Sequence, residues 1–581
     1  MTDFVSITGL GIICAIGNDA PSVLDALRKG ESGVRPIKYL PTKHTELPVG
    51  EVQLSNEEMK AMLGIDSPAP MSRTSLMGAI AIRQALQQAG LTDLSGKRVA
   101  VISGTTVGGM DVTEKYFEQM KTDDALLSLP QDNECGKSTV EMAELAGLTG
   151  AETCTISTAC SSALNSIMLG SEMLKCDEVD VVIAGGSEAL SIFHLNGFNT
   201  LMILDKERCR PFDDTRAGLN LGEGAAFVIL EKNKANAQAY VAGYGNRCDA
   251  FHQTASSDNG EGAYLAMTEA LSMAGLQPSD IQYVNAHGTG TPNNDISESQ
   301  ALKRVFGDQM PEVSSTKSFT GHTTSASGSI ETVLCVLAMQ NSFVPGNMGW
   351  KNAIPDGIIP TLGRENVQLD NVICNSFGFG GNDSSLVISR NVPQVTEARN
   401  QTTINCRVLC EETITSVDEL KGLKEFVSPM ESRRMGKLLK AALLSSLRVL
   451  KTSGIECPDA IITATSRGML EFSQQFLDDI NHNGEELLKP TLFMQSTHNT
   501  LSSAIAIRIG CHGYNITYSQ GAESMEWAMR DAERLVRTGK AKSVLVASFD
   551  ESTPLLADFA TRAGKPVPEE IYARCLMLVA E

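Results

Sequence analysis

The sequence predicts an α/β fold in which buried sheets are covered by helices. Short β-branched runs, such as residues 98–104 and 179–186, alternate with amphipathic helical runs, such as 75–90 and 262–275. This alternation with apolar strands is typical of sheets that carry helices on both faces. The chain has 581 residues, of which 42% are hydrophobic and 20% charged. That length corresponds to about two to four domain-sized units.

Composition argues against several classes of partner and location. The net charge of −21 disfavours nucleic acid or an anionic membrane surface as the main partner. No apolar run reaches the roughly 18 residues of a membrane span, and the N-terminus lacks the basic region of a signal peptide. The 14 cysteines form no CxxC pair and no metal-like spacing with the 8 histidines. We therefore expect reduced thiols, no metal, and a cytoplasmic protein.

The segment after a polar, aperiodic stretch at 391–402 repeats the beginning of the chain. We interpret that stretch as a linker. The runs around 71–90, 98–111, 153–170 and 179–189 recur in order after it, with an offset of about 360 residues, as ESRRMGKLLKAALLSSLRVLKTSG, DAIITATSRGMLEF, YNITYSQGAESMEWAMRD and KSVLVASFDES. In the repeat the position of Cys160 falls at Gln520 or Gly521, and neither alternative supplies a thiol.

Cys160 is the first candidate functional residue. It lies in TCTISTACSSALNS, between a short β-branched run and a run rich in helix formers. This placement predicts a cysteine near a helix N-terminus, where unpaired N–H groups and the helix dipole favour a thiolate. A single cysteine is more often a small buried core residue, so the rest of the chain has to decide.

Three other stretches carry candidate residues in glycine-rich loops after strand-like runs. His287 lies in VNAHGTGTPNND, Lys317 and His322 lie in SSTKSFTGHTTSASG, and four glycines with two phenylalanines fill ICNSFGFGGND. Each alone has a structural explanation, such as a core histidine or a tight turn. Loops at the ends of α/β strands converge on one site, so together they indicate a cysteine–histidine site.

TACSSA, NAHGTGT, KSFTGH and NSFGFGG, in this order, resemble the β-ketoacyl synthases of the elongating type. RCRPFDDTRAGLNLGEGAA and the opening VSITGLGIICAIG resemble that family too. The resemblance covers residues 1 to about 390 and implies a thiolase-like layered αβαβα fold with two pseudo-symmetric halves. We call residues 1–245 the first unit, 246–390 the second unit, and the degenerate half-synthase at 403–581 the third unit.

The resemblance also implies roles for the catalytic residues. Cys160 would be the nucleophile that accepts the acyl group, and His287 and His322 would be the histidine pair. Lys317 and Glu298 would form a supporting ionic network. Histidine at the second position is typical of decarboxylating, elongating enzymes, whereas starter-condensing synthases have asparagine there and thiolases a cysteine.

The same resemblance implies the residues that handle the substrate. Thr289 and Thr291 would hold the pantetheine arm. Phe379 would be the gate, and its N–H with that of Cys160 would form the oxyanion hole. The pocket wall is expected at Phe377, Phe379, Met110 and Phe198. Residues in segments that face the acyl carrier protein are Arg73, Lys206 and Arg208.

The implied reaction is a decarboxylative Claisen condensation of an acyl thioester with malonyl-acyl carrier protein, in fatty acid or type II polyketide or aryl-polyene-like synthesis. It needs no bound cofactor beyond the 4′-phosphopantetheine arm that the carrier delivers. The last loop reads GGND where many relatives have GGTN, and we expect this departure to affect only details of the pocket. The alternatives are a non-catalytic chain-length or scaffold partner of another synthase and an enzyme that only decarboxylates malonyl carrier.

The third unit lacks counterparts of His287, Lys317 and His322, so we expect it to be catalytically inactive. It is either a fused partner resembling a chain-length factor or a degenerate appendage. Its strand 514–519 matches the strand before Cys160, through which dimers of this family join. This strand is expected to pair with the synthase edge or with itself. The assembly is then an intra-chain pseudo-dimer or a homodimer.

Overall fold

The computed structural model describes residues 3–129, 134–393 and 404–581. The predicted linker at 391–402 therefore lies mostly outside the described residues. The strands are β1 (Val5–Cys14), β2 (Val99–Gly104), β3 (Glu152–Ile156), β4 (Val181–Glu188), β5 (Gly224–Lys232), β6 (Ala239–Cys248), β7 (Tyr283–Asn285), β8 (Glu312–Ser314), β9 (Phe343–Val344), β10 (Arg364–Glu365), β11 (Asn371–Gly378), β12 (Asn382–Ser389), β13 (Cys406–Ile414), β14 (Ala460–Ala464), β15 (Tyr514–Tyr518), β16 (Ser543–Glu551) and β17 (Ile571–Ala580).

The α-helices that cover these strands are α1 (Ala20–Lys29), α2 (Asn56–Leu63), α3 (Arg73–Gln88), α4 (Met110–Met120), α5 (Cys135–Leu145), α6 (Ser162–Lys175), α7 (Ile192–Thr200), α8 (Glu261–Ala274), α9 (Pro292–Phe306), α10 (Lys317–Thr320), α11 (Ser327–Gln340), α12 (Pro429–Ser432), α13 (Lys437–Ser453), α14 (Leu470–Asn483), α15 (Pro490–Met494), α16 (Thr500–Ile509), α17 (Ser524–Arg537) and α18 (Pro554–Arg562). Within the described ranges, no helix is both long and apolar enough to cross a membrane.

One sheet of fifteen strands runs through all three units, in the order β13-β17-β16-β14-β15-β3-β2-β4-β5-β1-β6-β12-β11-β7-β8. The third unit orders its strands β15-β14-β16-β17-β13, which repeats the order β3-β2-β4-β5-β1 of the first unit. In both units the central strands pair in parallel and the last two are antiparallel. The predicted internal repeat is therefore a repeat of topology.

The middle helical layer consists of α6 and α11. Every residue of α6 except Lys175, and every residue of α11 except Gln340, is buried. A helix that is buried all round must pack on several sides. These two helices pack against each other and against the strands of both synthase halves, within one hydrophobic core. This arrangement confirms the layered α/β fold.

The structure corrects the predicted register of the repeat around Cys160. Ala159 has φ +52° and Gly521 has φ +56°, and each opens a 3₁₀ turn just after β3 or β15. Aligning these two turns places Cys160 opposite Ala522, not opposite Gln520 or Gly521. The sequence left the register open because the residues around the turn are too dissimilar to fix it. The absence of a thiol at the equivalent position is confirmed.

The strand pairing between β3 and β15 joins the third unit to the first. Tyr518 lies opposite Ile156 in an antiparallel pair. The N–H of Ser157 donates to the carbonyl of Thr517 at 2.9 Å, and the N–H of Ser519 donates to the carbonyl of Thr155 at 2.9 Å. The predicted pairing with the synthase edge is thus made within one chain, which forms an intra-chain pseudo-dimer.

Buried ion pairs reinforce this junction. The guanidinium of Arg534 on α17 bonds Glu178 of the first unit at 2.7 Å and Asp531 at 2.8 Å, and only 4% of the Arg534 side chain is exposed. Nearby charges raise the pKa of Arg534 against its burial and lower the pKa of Glu178. Removing one member of such a pair leaves the other charges buried without a partner.

We expect Arg534→Ala to lower the free energy of unfolding by about 3 kcal/mol, because the buried carboxylate of Asp531 loses its cation and Glu178 loses one of its two arginine partners. Urea denaturation followed by circular dichroism measures the effect. The matched control is Arg537→Ala on the same helix, whose side chain is 55% exposed. That change should cost less than about 0.5 kcal/mol. Equal effects of the two substitutions would contradict a structural role for the buried pair.

Candidate active site

Cys160 lies in a 3₁₀ turn, Ala159–Ser161, between the end of β3 and the first residue of α6. Its predicted place near a helix N-terminus is therefore correct. Only 6% of the residue is exposed. The left-handed backbone of Ala159, φ +52°, makes the turn tight enough to place the thiol at the end of the strand. Strand and helix together hold the sulfur in one position.

Burial raises the pKa of the Cys160 thiol to about 12. The positive charge of Lys317 and a hydrogen bond from the backbone N–H of Phe379 oppose this shift but do not overcome it. Desolvation thus opposes the thiolate that a position near a helix N-terminus favours. The resting nucleophile is a thiol that must lose its proton during the reaction.

His322 lies within proton-transfer distance of this thiol. Its Nε2 lies 3.1 Å from Cys160 Sγ. The ring of His287 is 5.3 Å from that of His322, centroid to centroid, at an interplanar angle of 81°. Burial and the charge of Lys317 hold the pKa of both histidines well below the usual value. Two neutral imidazoles therefore face one thiol, and the three donor atoms lie within 4.8 Å of one another.

Lys317 pairs with Glu331, not with Glu298. Lys317 Nζ lies 2.6 Å from Glu331 Oε1, and the two side chains are 1% and 2% exposed. The sequence analysis missed this carboxylate. Burial raises the pKa of Glu298 and the charge of Lys317 acts against that shift, so both carboxylates lie within the electrostatic reach of Lys317. Glu331 is the one acidic residue in the apolar helix SGSIETVLCVLAMQ, and that isolation was the available signal.

Glu298 supports the histidine loop instead. Its carboxylate accepts the backbone N–H groups of His287 at 2.8 Å and Gly288 at 2.7 Å. Burial raises the pKa of Glu298 to about 7, although these two hydrogen bonds act the other way. Glu298 therefore fixes the backbone on which His287 stands.

The glycine-rich loop after β11 reaches Cys160 directly. The backbone N–H of Phe379 bonds the cysteine sulfur, and Ser376 Oγ donates to the Cys160 carbonyl at 2.8 Å. A Cβ on Gly378 would lie 2.8 Å from the carbonyl oxygen of Thr158, so glycine is required for this approach. Two backbone N–H groups, of Cys160 and Phe379, are thus available near the sulfur.

The predicted substrate-handling residues lie around this centre. The hydroxyls of Thr289 and Thr291 are 2.8 Å apart. The ring of Phe377 is 5.8 Å from that of His287, and the ring of Phe379 stacks on Phe198 at 5.7 Å. Met110 lines a cavity of about 100 Å³ between the first and third units.

The carrier-docking prediction is wrong for Arg73. Arg73 is 8% exposed, and its Nη2 lies 2.7 Å from the buried carboxylate of Glu223. Arg73 is the first residue of α3, and nothing in the neighbouring sequence indicated that its side chain is buried. Lys206 and Arg208 are exposed. These two residues remain candidates for docking.

The third unit contacts the loop of Phe379, which the sequence analysis did not foresee. Asn499 Nδ2 donates to the carbonyl of Phe379 at 2.8 Å and to Asn382 Oδ1 at 2.6 Å. Asn382 Nδ2 in turn donates to the backbone of Asn515 at 3.1 Å. Asn382 of the GGND departure therefore takes part in the contact between units.

The pKa of about 12 predicts how Cys160 alkylation depends on pH. We expect the rate of Cys160 modification by iodoacetamide to rise about tenfold per pH unit up to at least pH 9.5, because only the thiolate reacts. Peptide mapping by mass spectrometry separates Cys160 from the exposed Cys457, which serves as the internal control. A modification rate that reaches a plateau below pH 8 would indicate that Cys160 is a thiolate in the resting protein.

Comparison with known proteins agrees with the geometry. The β-ketoacyl synthase N-terminal domain family matches residues 2–236, and its C-terminal domain family matches 238–351. A second N-terminal domain family of β-ketoacyl synthases matches 411–579, within the third unit. The 3-oxoacyl-[acyl-carrier-protein] synthase 2 of Coxiella burnetii is 33% identical over 422 residues, which span 66% of this chain and 98% of that protein.

Solved structures show the same likeness. The ishigamide ketosynthase/chain length factor is 29% identical with a TM-score of 0.61, over 67% of this chain and 99% of that one. The PfaC keto synthase–chain length factor structure covers 100% of this chain and 78% of its own, with 17% identity and a TM-score of 0.77, which shows a shared fold over all three units. The chain belongs to the β-ketoacyl synthase family.

Proposed function

We propose that the chain is an active condensing enzyme that extends an acyl thioester by two carbons from malonyl-acyl carrier protein. The observation that carries this proposal is the contact of 3.1 Å between Cys160 Sγ and His322 Nε2, with His287 beside it and Lys317 behind it. A non-catalytic chain-length partner needs no such centre. In the third unit, which we propose to be inactive, Ala522 stands in place of Cys160.

The first step transfers the acyl group from its carrier to Cys160. The thiol loses its proton to His322 Nε2 as sulfur attacks the thioester carbonyl, and the departing pantetheine sulfur takes that proton up. The carbonyl oxygen becomes an oxyanion, which the N–H groups of Cys160 and Phe379 stabilise. The products are an acyl-Cys160 thioester and the free carrier thiol.

The second step joins the two carbon chains. The malonyl carboxylate leaves as CO2, and the thioester that remains is an enolate with negative charge on oxygen. Both His287 and His322 are neutral, and with the proton on Nε2 each donates an N–H to that oxygen. His322 therefore takes the opposite tautomer from the first step, in which its Nε2 is the base. The enolate carbon attacks acyl-Cys160, and the cysteine sulfur leaves as a thiolate that takes up a proton from solvent. The product is 3-oxoacyl-acyl carrier protein.

The substrate arrives on the phosphopantetheine arm of an acyl carrier protein. We assign Thr289 and Thr291 to this arm, since their hydroxyls lie 2.8 Å apart beside the His287 loop. The exposed Lys206 and Arg208 fit an acidic carrier electrostatically, although the chain as a whole is acidic. All 14 cysteines are free thiols, which supports a reducing compartment such as the cytoplasm.

We assign the third unit the role of a fused partner that resembles a chain-length factor. It pairs with β3, holds the carbonyl of Phe379 through Asn499, and forms one wall of the cavity that Met110 lines. A degenerate appendage would have no reason to contact the site. The match of 411–579 to a β-ketoacyl synthase N-terminal domain family supports the derivation of this unit from a synthase half.

Intact-mass spectrometry tests the nucleophile. After incubation with a short acyl-acyl carrier protein, the parent protein should gain one acyl mass, and Cys160→Ala and Cys160→Gln should gain none. With malonyl carrier added, only the parent should form 3-oxoacyl carrier. If the Cys160 variants condense as fast as the parent, the assignment fails. Malonyl decarboxylation without condensation by the parent would favour the decarboxylase alternative.

Asn499→Ala tests the contribution of the third unit to catalysis. Losing one hydrogen bond to the Phe379 carbonyl should lower kcat by about tenfold with little change in KM, because the loop supplies an oxyanion donor. The matched control is Asn481→Ala, also in the third unit. The Nδ2 of Asn481 donates to the carbonyl of Leu477 in the same helix. Equal kinetics for the two variants would show that the contact does not position the loop.

A further inference from the structure

We propose that Arg467 of the third unit recognises the distal end of the acyl chain, and that the preferred chain carries an oxygen hydrogen-bond acceptor there. This inference rests on the proposed function, since it names the class of acyl chain that the same site takes. It begins from the cavity between the first and third units.

The cavity has a volume of about 100 Å³ and is bounded by α4 and α7 of the first unit and by α14 and α15 of the third. A row of contacting aromatic rings lies between Cys160 and the cavity. Phe379, whose N–H bonds the cysteine sulfur, stacks on Phe198 at 5.7 Å, and Phe198 lies 5.4 Å from Phe493, which lines the cavity. The cavity therefore lies behind the Phe379 gate, and an acyl chain on Cys160 reaches it when the rings of Phe379 and Phe198 move aside.

A second set of contacts places the cavity beside the catalytic centre. Thr106 lines the cavity, and its backbone N–H bonds the carboxylate of Glu188 at 3.1 Å. That carboxylate also accepts a bond from Thr324 Oγ1 at 3.3 Å, two residues after His322. Thr106 on the cavity wall and Thr324 near His322 thus bond the same buried carboxylate, that of Glu188.

Most of the cavity wall is apolar, but one region is charged. Met110, Phe117 and Leu477 are among the apolar lining residues, whereas Arg467 and Glu134 form an ion pair across the two units. By the repeat, Arg467 occupies the position that Val107 holds in the first unit, directly before the left-handed glycine of each copy. Both residues line the same cavity. The third unit therefore supplies a cation where the synthase copy has an aliphatic side chain.

The guanidinium of Arg467 has unused hydrogen-bonding capacity. Of its five N–H groups, Nη2 donates to Glu134 Oε1, and we find no second side-chain bond from Arg467 within residues 3–129, 134–393 and 404–581. The side chain is 28% exposed, and it lines the cavity. Donors remain available to whatever occupies the space.

The chemistry of the occupant follows from these spare donors. A methyl-terminated chain would displace water from the guanidinium and return no hydrogen bond, which is unfavourable. A keto, hydroxyl or carboxylate oxygen at that point would accept a charge-assisted hydrogen bond. The apolar wall suits the hydrocarbon part of the same chain. We therefore expect oxygenated termini to be favoured by about 10- to 100-fold.

Binding to Cys160→Ala protein tests this inference without turnover. The probes are pairs of acyl-pantetheine thioesters with equal numbers of heavy atoms, one ending in a methyl group and one in a hydroxyl or keto group, across several lengths. Isothermal titration calorimetry should show tighter binding of the oxygenated member by tenfold or more at one length. Equal binding of each pair at every length, or no binding of either member, would overturn the proposal.

Arg467→Val in the same background should abolish that preference and leave the binding of the methyl-terminated chain unchanged or tighter. It copies the residue of the first unit, so the substitution introduces no foreign side chain. Arg508→Ala, on the exposed face of α16, is the control. If Arg467→Val weakens both ligands alike, with a lower melting temperature, Arg467 only joins the units and the inference fails.

The condensation assay on the parent separates this result from the proposed function. Selective binding without condensation would leave the inference standing and remove the proposed reaction. Condensation of both chain types at equal kcat/KM, with equal binding, would keep the reaction and remove the inference.

Discussion

The antiparallel contact between β3 and β15 is the constraint on which the rest of the structure depends. β3 ends four residues before Cys160, so the strand that positions the nucleophile is also the strand at the edge of its sheet. An unpaired edge strand there would leave backbone groups unsatisfied and the cysteine turn unsupported. The third unit pairs with that edge, and the sheet continues through it for five more strands.

This pairing also decides which residues of the third unit approach the site. With the third unit held in this position, Asn499 reaches the Phe379 carbonyl and Arg467 reaches the cavity wall. A half-synthase without a nucleophile thereby becomes part of the environment of the nucleophile in the other copy.

Within the catalytic centre, one buried ion pair sets the electrostatics. Lys317 and Glu331 lie in the interior, where each charge requires the other. The Lys317 cation faces His287 and His322 and helps to keep both rings neutral. The same cation opposes the rise of the Cys160 pKa that burial causes. Negative charge develops in this site only during the reaction. Neutral hydrogen-bond donors and a thiol near a cation suit such a site.

The sequence by itself determined the α/β class, the repeat, and Cys160, His287, Lys317 and His322, because strand–loop–helix patterns and short glycine-rich motifs are local. It failed where partners are distant along the chain. Arg73 is buried against Glu223, and Asn382 of the GGND loop contacts Asn515. Glu331, although only 14 residues from Lys317, was also missed as its ion-pair partner. Only the tertiary structure decided these pairings, because burial, desolvation and the meeting of side chains from separate units have no local signature in the sequence.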